Sequence, residues 1–168
     1  MLLPINFKEW INEHRHLLKP PVGNQVVYQD TEFIIMVVGG PNIRKDYHIN
    51  KGEEFFYQLE GNMILRIREK GKPKDIPINE GEIFLLSPNI PHSPQRFENT
   101  VGLVVERKRH EGELDGFQWY CDECQAMLYD KYFPLTNIVK QLPPLFEAFW
   151  ENEEARTCKH CSAYLEKP

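Results

Sequence analysis

The sequence predicts a mainly β protein, a sandwich or barrel of short strands, with a helix before it and a helical, metal-stapled extension after it. Three observations carry that reading. Runs rich in β-branched and aromatic residues follow one another at short spacing: Thr31–Val38, Glu53–Leu59, Met63–Arg68, Ile83–Leu86, Val101–Arg107 and Phe117–Tyr120. Turn signals punctuate them, among them Gly39-Gly40-Pro41, Asn50-Lys51-Gly52, Glu60-Gly61-Asn62 and Asn79-Glu80-Gly81, and many short strands at such spacing indicate a sandwich or barrel. No repeat, low-complexity tract or long linker divides the 168 residues. One domain over residues 1–168 is therefore expected, with a barrel core at about 22–120 and a cysteine-bounded appendage at about 121–168.

The flanking helices are read from periodicity. Phe7, Trp10, Ile11, His14, Leu17 and Leu18 recur at helical spacing. Asn6 is placed to cap this helix with Glu9 three residues on, and Pro20-Pro21 is expected to stop it. A second helical segment, Leu145–Ala155, carries Leu145, Phe146, Phe149 and Trp150.

Composition excludes several classes of function. A chain with 41% hydrophobic and 27% charged residues has enough apolar surface for a core and is not a disordered segment. Its net charge of −5 provides no electrostatic footprint for nucleic acid or an anionic membrane. The apolar run Met1–Ile5 is too short for a signal peptide, and no stretch reaches the length of a membrane span, so a cytoplasmic protein is expected.

In a reducing compartment the four cysteines favour metal binding over disulfides. Cys121-Asp122-Glu123-Cys124 and Cys158-Lys159-His160-Cys161 form two CxxC knuckles, read as separated by a helical insertion. Four thiolates make a closed tetrahedral site suited to zinc or iron, and a site with no open position is structural. A redox dithiol is the competing reading, but it calls for a CxxC opening a helix in a βαβ setting, which the pattern lacks.

A second donor set lies in the barrel segment. His48 and Glu54 flank the Asn50-Lys51-Gly52 turn, and His92 ends Ser87-Pro88-Asn89-Ile90-Pro91-His92 just after the apolar run Ile83–Leu86. Two imidazoles and one carboxylate leave coordination positions open, the arrangement suited to non-haem iron(II) and oxygen activation. Neighbours on a strand face opposite ways, so only one of Glu53 and Glu54 can be a ligand, and Glu53 reads as solvated.

Parity extends the site. Arg44 lies four residues before His48, and Arg96 four after His92, so in extended chain each histidine has an arginine on its own face. Two guanidinium groups beside an open metal site suggest a small carboxylate-bearing substrate or a bound anion. Glu106 shares a face with Val104 and Gly102, and a carboxylate among apolar neighbours needs a partner or a task such as general base. His14, His16 and His110 read as ordinary surface or capping residues.

The runs Gly39–Asn50 and Glu53–Gly61, then Pro91-His92-Ser93-Pro94-Gln95-Arg96-Phe97 and Val101–Glu106, resemble the 3-hydroxyanthranilate 3,4-dioxygenase family. The similarity extends from Leu18-Lys19-Pro20-Pro21-Val22 to the final cysteines. The fold it implies is the cupin, a double-stranded β-helix or jelly-roll barrel. Generic cupins often carry a second histidine where this chain has Asn50 and a glycine where it has Pro91, and both departures agree with the more specific family.

The resemblance implies Fe²⁺ held by His48, Glu54 and His92. Arg96 would pair with the substrate carboxylate, Glu106 would bind the phenolic hydroxyl and take its proton, and Arg44 would sit by O₂ and substrate. It further implies cleavage of 3-hydroxyanthranilate by O₂ to 2-amino-3-carboxymuconate semialdehyde, which cyclises to quinolinate on the route to NAD. A second Fe or Zn at Cys121, Cys124, Cys158 and Cys161 is implied too, as is a homodimer. Two other readings stay open from the residues: another small-molecule cupin dioxygenase or isomerase, and a non-catalytic metal-dependent binding module.

Overall fold

The computed structural model describes residues 2–19, 23–29 and 31–168. Helix α1 (Phe7–His14) opens the chain, and the Asn6 side chain accepts from the Glu9 N–H as its spacing predicts. A single 3-10 turn, Arg15–Leu17, continues it. The predicted stop at Pro20-Pro21 lies outside the described residues.

Eleven strands are formed among the described residues: β1 (Asn24–Val26), β2 (Phe33–Gly39), β3 (Asp46–Ile49), β4 (Glu54–Glu60), β5 (Met63–Glu69), β6 (Lys72–Ile78), β7 (Ile83–Leu86), β8 (His92–Arg96), β9 (Val101–Arg107), β10 (Asp115–Tyr120) and β11 (Met127–Phe133). They form one sheet ordered β1-β2-β9-β4-β7 and another ordered β11-β10-β3-β8-β5-β6. The central pairings are antiparallel and nested: β5 with β6, β4 with β7, β3 with β8, and β2 with β9. A long hairpin is thus wound around a barrel, its successive rungs falling in alternate sheets. This is the double-stranded β-helix of the cupin jelly roll.

Alternation supplies the core. Phe56 on β4, Leu65 on β5 and Val104 on β9 point inward with Met36, Met63, Ile67, Ile78 and Leu86, while Phe55 and Tyr57 face outward. Five strands of this barrel escape the sequence pattern. β6 is Lys- and Pro-rich and mostly exposed, an edge strand formed because the hairpin from β5 brings it into register from Met63↔Ile78 to Glu69↔Lys72. β1, β3, β8 and β11 are short or polar, and their strand character comes from their neighbours rather than from propensity.

The C-terminal segment departs further from expectation. Helix α2 spans Ile138–Glu151, seven residues earlier at its start than periodicity suggested, with Pro143 and Pro144 inside it. Asn137 caps it by accepting from the Lys140 N–H at 3.0 Å. Packing outweighs the lost amide donors: Phe149 is 2% exposed and stacks on Trp119 of β10 at 4.3 Å, within a cluster that includes Phe117, Leu135 and Leu165. A short helix α3 (Glu153–Arg156) follows. The chain between the two cysteine knuckles is therefore a strand and two helices rather than a helical insertion alone.

Removing the Phe149 ring leaves a cavity against Trp119. Phe149→Ala is expected to lower stability by about 3–5 kcal/mol, read from chemical denaturation. A loss below about 1 kcal/mol would mean that α2 is not anchored through this contact.

Candidate metal centre and substrate cavity

Register places the barrel's chemical groups. On one sheet His48 of β3 pairs directly with His92 of β8, and on its other side with Phe117 of β10. On the opposite sheet Glu54 of β4 pairs directly with Glu106 of β9. All five side chains line one cavity in the barrel interior. Glu53, the outward neighbour of Glu54, is exposed as parity requires.

One donor atom from each of His48, Glu54 and His92 lies within 4.8 Å of the others. Each ring is fixed by its second nitrogen. His92 Nδ1 lies 2.9 Å from the Ile90 carbonyl, leaving Nε2 at 3.0 Å from Glu54 Oε1. His48 Nε2 lies 2.6 Å from Asp115 Oδ2, which turns Nδ1 toward Glu54 at 3.6 Å. A ring that donates one N–H to a carboxylate or carbonyl presents its other nitrogen as a lone pair, the second-layer arrangement of metal-ligating histidines. The donor set thus fits a divalent cation with open positions.

Burial pushes the Glu54 carboxyl upward, but the His92 and His48 rings and Arg109 outweigh it and hold the group at about 2. Glu106 goes the other way. Its burial, and then the like charge of Glu54, raise its proton affinity against the pull of Arg109. Two neutral or positive groups keep this carboxylate pair in place. The Asn50 amide donates to Glu54 Oε1 at 2.6 Å and to Glu106 Oε2 at 3.1 Å, and Arg109 Nη1 lies 2.9 Å from Glu106 Oε1. Asn50 stands where generic cupins often place a histidine.

Arg96 occupies the cavity wall in an unusual state. It is 3% exposed, its Nη1 donates to Gln58 Oε1 at 3.3 Å, and its Nε has no partner among the described residues. No carboxylate is paired with it there. Burial, then the nearby Arg44 charge, push its guanidinium down to about 10. Gly102 makes room for it: a Cβ at that position would meet Arg96 Nη1 at 2.5 Å and Gln58 Oε1 at 2.9 Å.

The parity argument holds for Arg96, which lies in β8. Arg44 lies two residues before β3 begins, and it too lines the cavity. Its guanidinium is bound to Asp46 through Nε and Nη2. Burial works against its charge, and Asp46 more than offsets the effect.

The cavity measures about 110 Å³. That is of the order of the ~150 Å³ void known to hold one benzene ring and well below drug-sized pockets of roughly 300–1,000 Å³. Its apolar walls include Met36, Phe56 and Val104 from the barrel and Leu135, Ile138 and Leu142 from the C-terminal segment. The cysteine-bounded appendage therefore also contributes to the wall of this cavity.

Sequence reasoning missed Asn50, Arg109 and Asp115 as parts of the site, together with this apolar closure. Two of them left a local signal: Arg109, three residues from Glu106, and Asn50, in the turn four residues before Glu54. Asp115 meets His48 only because β10 lies beside β3.

A chain assembled in this way is similar over nearly its whole length to known enzymes. A family model described as 3-hydroxyanthranilic acid dioxygenase matches residues 1–150. A 3-hydroxyanthranilate 3,4-dioxygenase of Xanthomonas euvesicatoria pv. vesicatoria is 55% identical over 161 residues, covering 96% of this chain and 91% of that one. The chain belongs to the 3-hydroxyanthranilic acid dioxygenase family. Another relative bearing the 3,4-dioxygenase name, from Jannaschia sp., is 55% identical over 95% of this chain and 89% of its own. Among solved structures, a cupin-2 domain-containing protein from Shewanella frigidimarina aligns with a TM-score of 0.48 at 17% identity, over 62% of this chain and 94% of that one.

This member of the dioxygenase family carries a second donor cluster. Cys121 Sγ lies 3.6 Å from Cys161 Sγ, and Cys124 Sγ 3.5 Å from Cys158 Sγ. The two knuckles repeat one backbone design. In each, the first cysteine N–H donates to the alanine carbonyl five residues on, Ala126 or Ala163, and its own carbonyl accepts from Gln125 or Ser162. Gln125 and Ser162 both adopt φ 62. Backbone N–H groups of Cys161 and His160 hold the Cys158 thiol down at about 6, which favours thiolate. Four sulfurs on paired knuckles fit a tetrahedral metal. The His160 ring is not among the clustered donors.

The two sites are separable by metal analysis. His92→Ala should lose one metal equivalent and keep the cysteine-bound one. Cys121→Ser should do the reverse and lower the melting temperature, because structural metal binding is coupled to folding. Full metal content in His92→Ala would remove that residue from the ligand set.

Proposed function

We propose that the chain is an iron(II)-dependent dioxygenase that opens the ring of 3-hydroxyanthranilate with O₂ to yield 2-amino-3-carboxymuconate semialdehyde. The family supplies the reaction. The observation that carries the substrate reading is Arg96, a buried guanidinium that has no carboxylate partner among the described residues and an unpartnered Nε, on the cavity that the His/Glu/His donor set lines. A buried cation of this kind awaits an anion from the cavity.

When bound at His48, Glu54 and His92, iron(II) supplies electrons for O₂ and coordination positions for the adjacent hydroxyl and amino groups of an aminophenol. The protein's own groups set the rest. Arg96 takes the substrate carboxylate in a fork of parallel hydrogen bonds, which orients the ring. Glu106, made a stronger base by burial, accepts the phenolic proton on a carboxylate oxygen. Asn50 and Arg109 keep it facing the cavity. Phe56, Val104, Ile138 and Leu142 hold the ring faces and exclude water. Arg44, held by Asp46 at the cavity wall, would sit by O₂ and substrate. The cysteine cluster would hold zinc or iron as a staple and take no part in turnover.

The direct test is to load the protein with Fe²⁺ anaerobically, add O₂ and 3-hydroxyanthranilate, and follow the absorbance of the semialdehyde. A binding module predicts no O₂ uptake. Arg96→Lys should raise KM strongly and Arg96→Ala more, a loss on the order of 2–5 kcal/mol in kcat/KM. An analogue without the carboxylate should be nearly indifferent to Arg96→Ala, and equal losses for both substrates would defeat the assignment.

Two further variants separate binding from chemistry. Glu106→Gln retains the side chain's shape but cannot take the proton, so kcat should fall by about 10²–10⁴. Gly102→Ala displaces the Arg96 guanidinium, and KM should rise by about 10-fold or more. An unchanged KM would show that Arg96 adapts without loss.

A further inference from the structure

The loop joining β9 to β10 carries a mostly enclosed side chain that the proposed reaction does not itself consume. Arg109, 11% exposed, lies between carboxylates of different sheets. Its Nη1 is 2.9 Å from Glu106 Oε1 on β9, while its Nε and Nη2 reach Asp115 Oδ1 and Oδ2 on β10 at 2.9 and 2.6 Å. Both acids are already committed to the site. Asp115 is fully buried and lies 2.6 Å from His48 Nε2, and Glu106 faces the cavity with its other oxygen on Asn50. One rigid guanidinium is therefore bonded at once to the candidate base and to the group that orients a metal-binding ring.

We propose that Arg109 is a positioning residue that couples the orientation of His48, through Asp115, to that of Glu106, and so fixes base and metal ligand relative to each other across the two sheets. The inference rests on Glu106 being the base. The guanidinium suits this because its N–H groups diverge in one plane at fixed angles, so a fork on Asp115 leaves Nη1 aimed at Glu106. A lysine offers a single charged point and cannot serve both acids at these distances. The loop has other braces: Arg107 donates to both oxygens of Glu113 at 2.6 Å, and the His110 N–H donates to Glu113 at 2.8 Å. Changing Arg109 thus leaves the loop's own fastening in place.

The test uses Arg109→Lys, Asp115→Asn, Glu106→Gln and the two double variants containing Arg109→Lys, with the cysteine cluster left filled. Iron-depleted protein is titrated with Co²⁺, and Fe²⁺-loaded protein is assayed for turnover. Arg109→Lys should weaken Co²⁺ binding about 10-fold, within the ~10–100-fold range of second-layer substitutions, and lower kcat about 10-fold with KM little changed. In the Asp115→Asn background it should cost no further Co²⁺ affinity, and in the Glu106→Gln background no further kcat. Full additivity in either background, or wild-type Co²⁺ affinity and kcat in Arg109→Lys, overturns the proposal. Should Arg109→Lys fail to fold, Arg109→Gln replaces it, and failure of both makes the residue merely structural. If wild-type protein does not turn over 3-hydroxyanthranilate, the functional reading fails, while the Co²⁺ cycle still decides whether Arg109 holds His48.

Discussion

Two carboxylates buried side by side are the constraint around which this barrel is arranged. Glu54 and Glu106 face each other in register across β4 and β9, each about 95% removed from solvent. Like charges directly opposite on a sheet repel, and burial raises the cost of charging either one. Their surroundings answer that strain. His48 and His92 stand on the facing sheet, the Asn50 amide bridges the two acids, and Arg109 closes the outer side of Glu106. A divalent cation on His48, Glu54 and His92 would add positive charge at the most crowded point. The two acids also differ: Glu54 is held ionised beside two imidazoles, whereas Glu106 is left with raised proton affinity.

Arg96 is the complement of this arrangement. Glu54 and Glu106 pair in register on β4 and β9, while the Arg96 guanidinium lies against Gly102, four residues before Glu106 on β9. A small aromatic acid with neighbouring metal-chelating groups would satisfy both groups at once, with its carboxylate on Arg96 and its hydroxyl near Glu106. The absence of a side chain at Gly102 is what lets Arg96 lie in the wall at all. Selectivity in such a pocket comes from leaving a buried charge unpaired until the right ligand arrives.

The C-terminal segment ties two functions together. Its cysteine knuckles bring β10, α2 and α3 into one unit, and the aromatic stack of Trp119 on Phe149 sets α2 against the barrel. The start of the same helix, with Leu135 just before it, presents Ile138 and Leu142 to the cavity. Phe117 sits at the junction, packed on His48 on one side and on Phe133 and Phe146 on the other. The cysteine cluster is thus joined through packed side chains to the wall of the cavity.

By itself the sequence determined the β class, the runs of six strands, the first helix with its Asn6 cap, the two CxxC knuckles and the three barrel donors. All but the barrel donors are local signals: alternation, turn chemistry, capping, or ligand types at short spacing; His48, Glu54 and His92 span 44 residues and were joined by the resemblance to the family. The polar strands β6, β8 and β11 were invisible because their pairing partners, not their own propensities, make them strands. The start of α2 was hidden by Pro143 and Pro144, whose local cost is outweighed by burial of Phe146 and Phe149. Only the tertiary structure decided that Asp115 meets His48 across 67 residues, that Asn50 meets Glu106 across 56, and that Arg96 has no carboxylate partner among the described residues. Those facts depend on strand register and on which faces of two sheets look at each other, and register is a property of the assembled barrel that no local segment encodes.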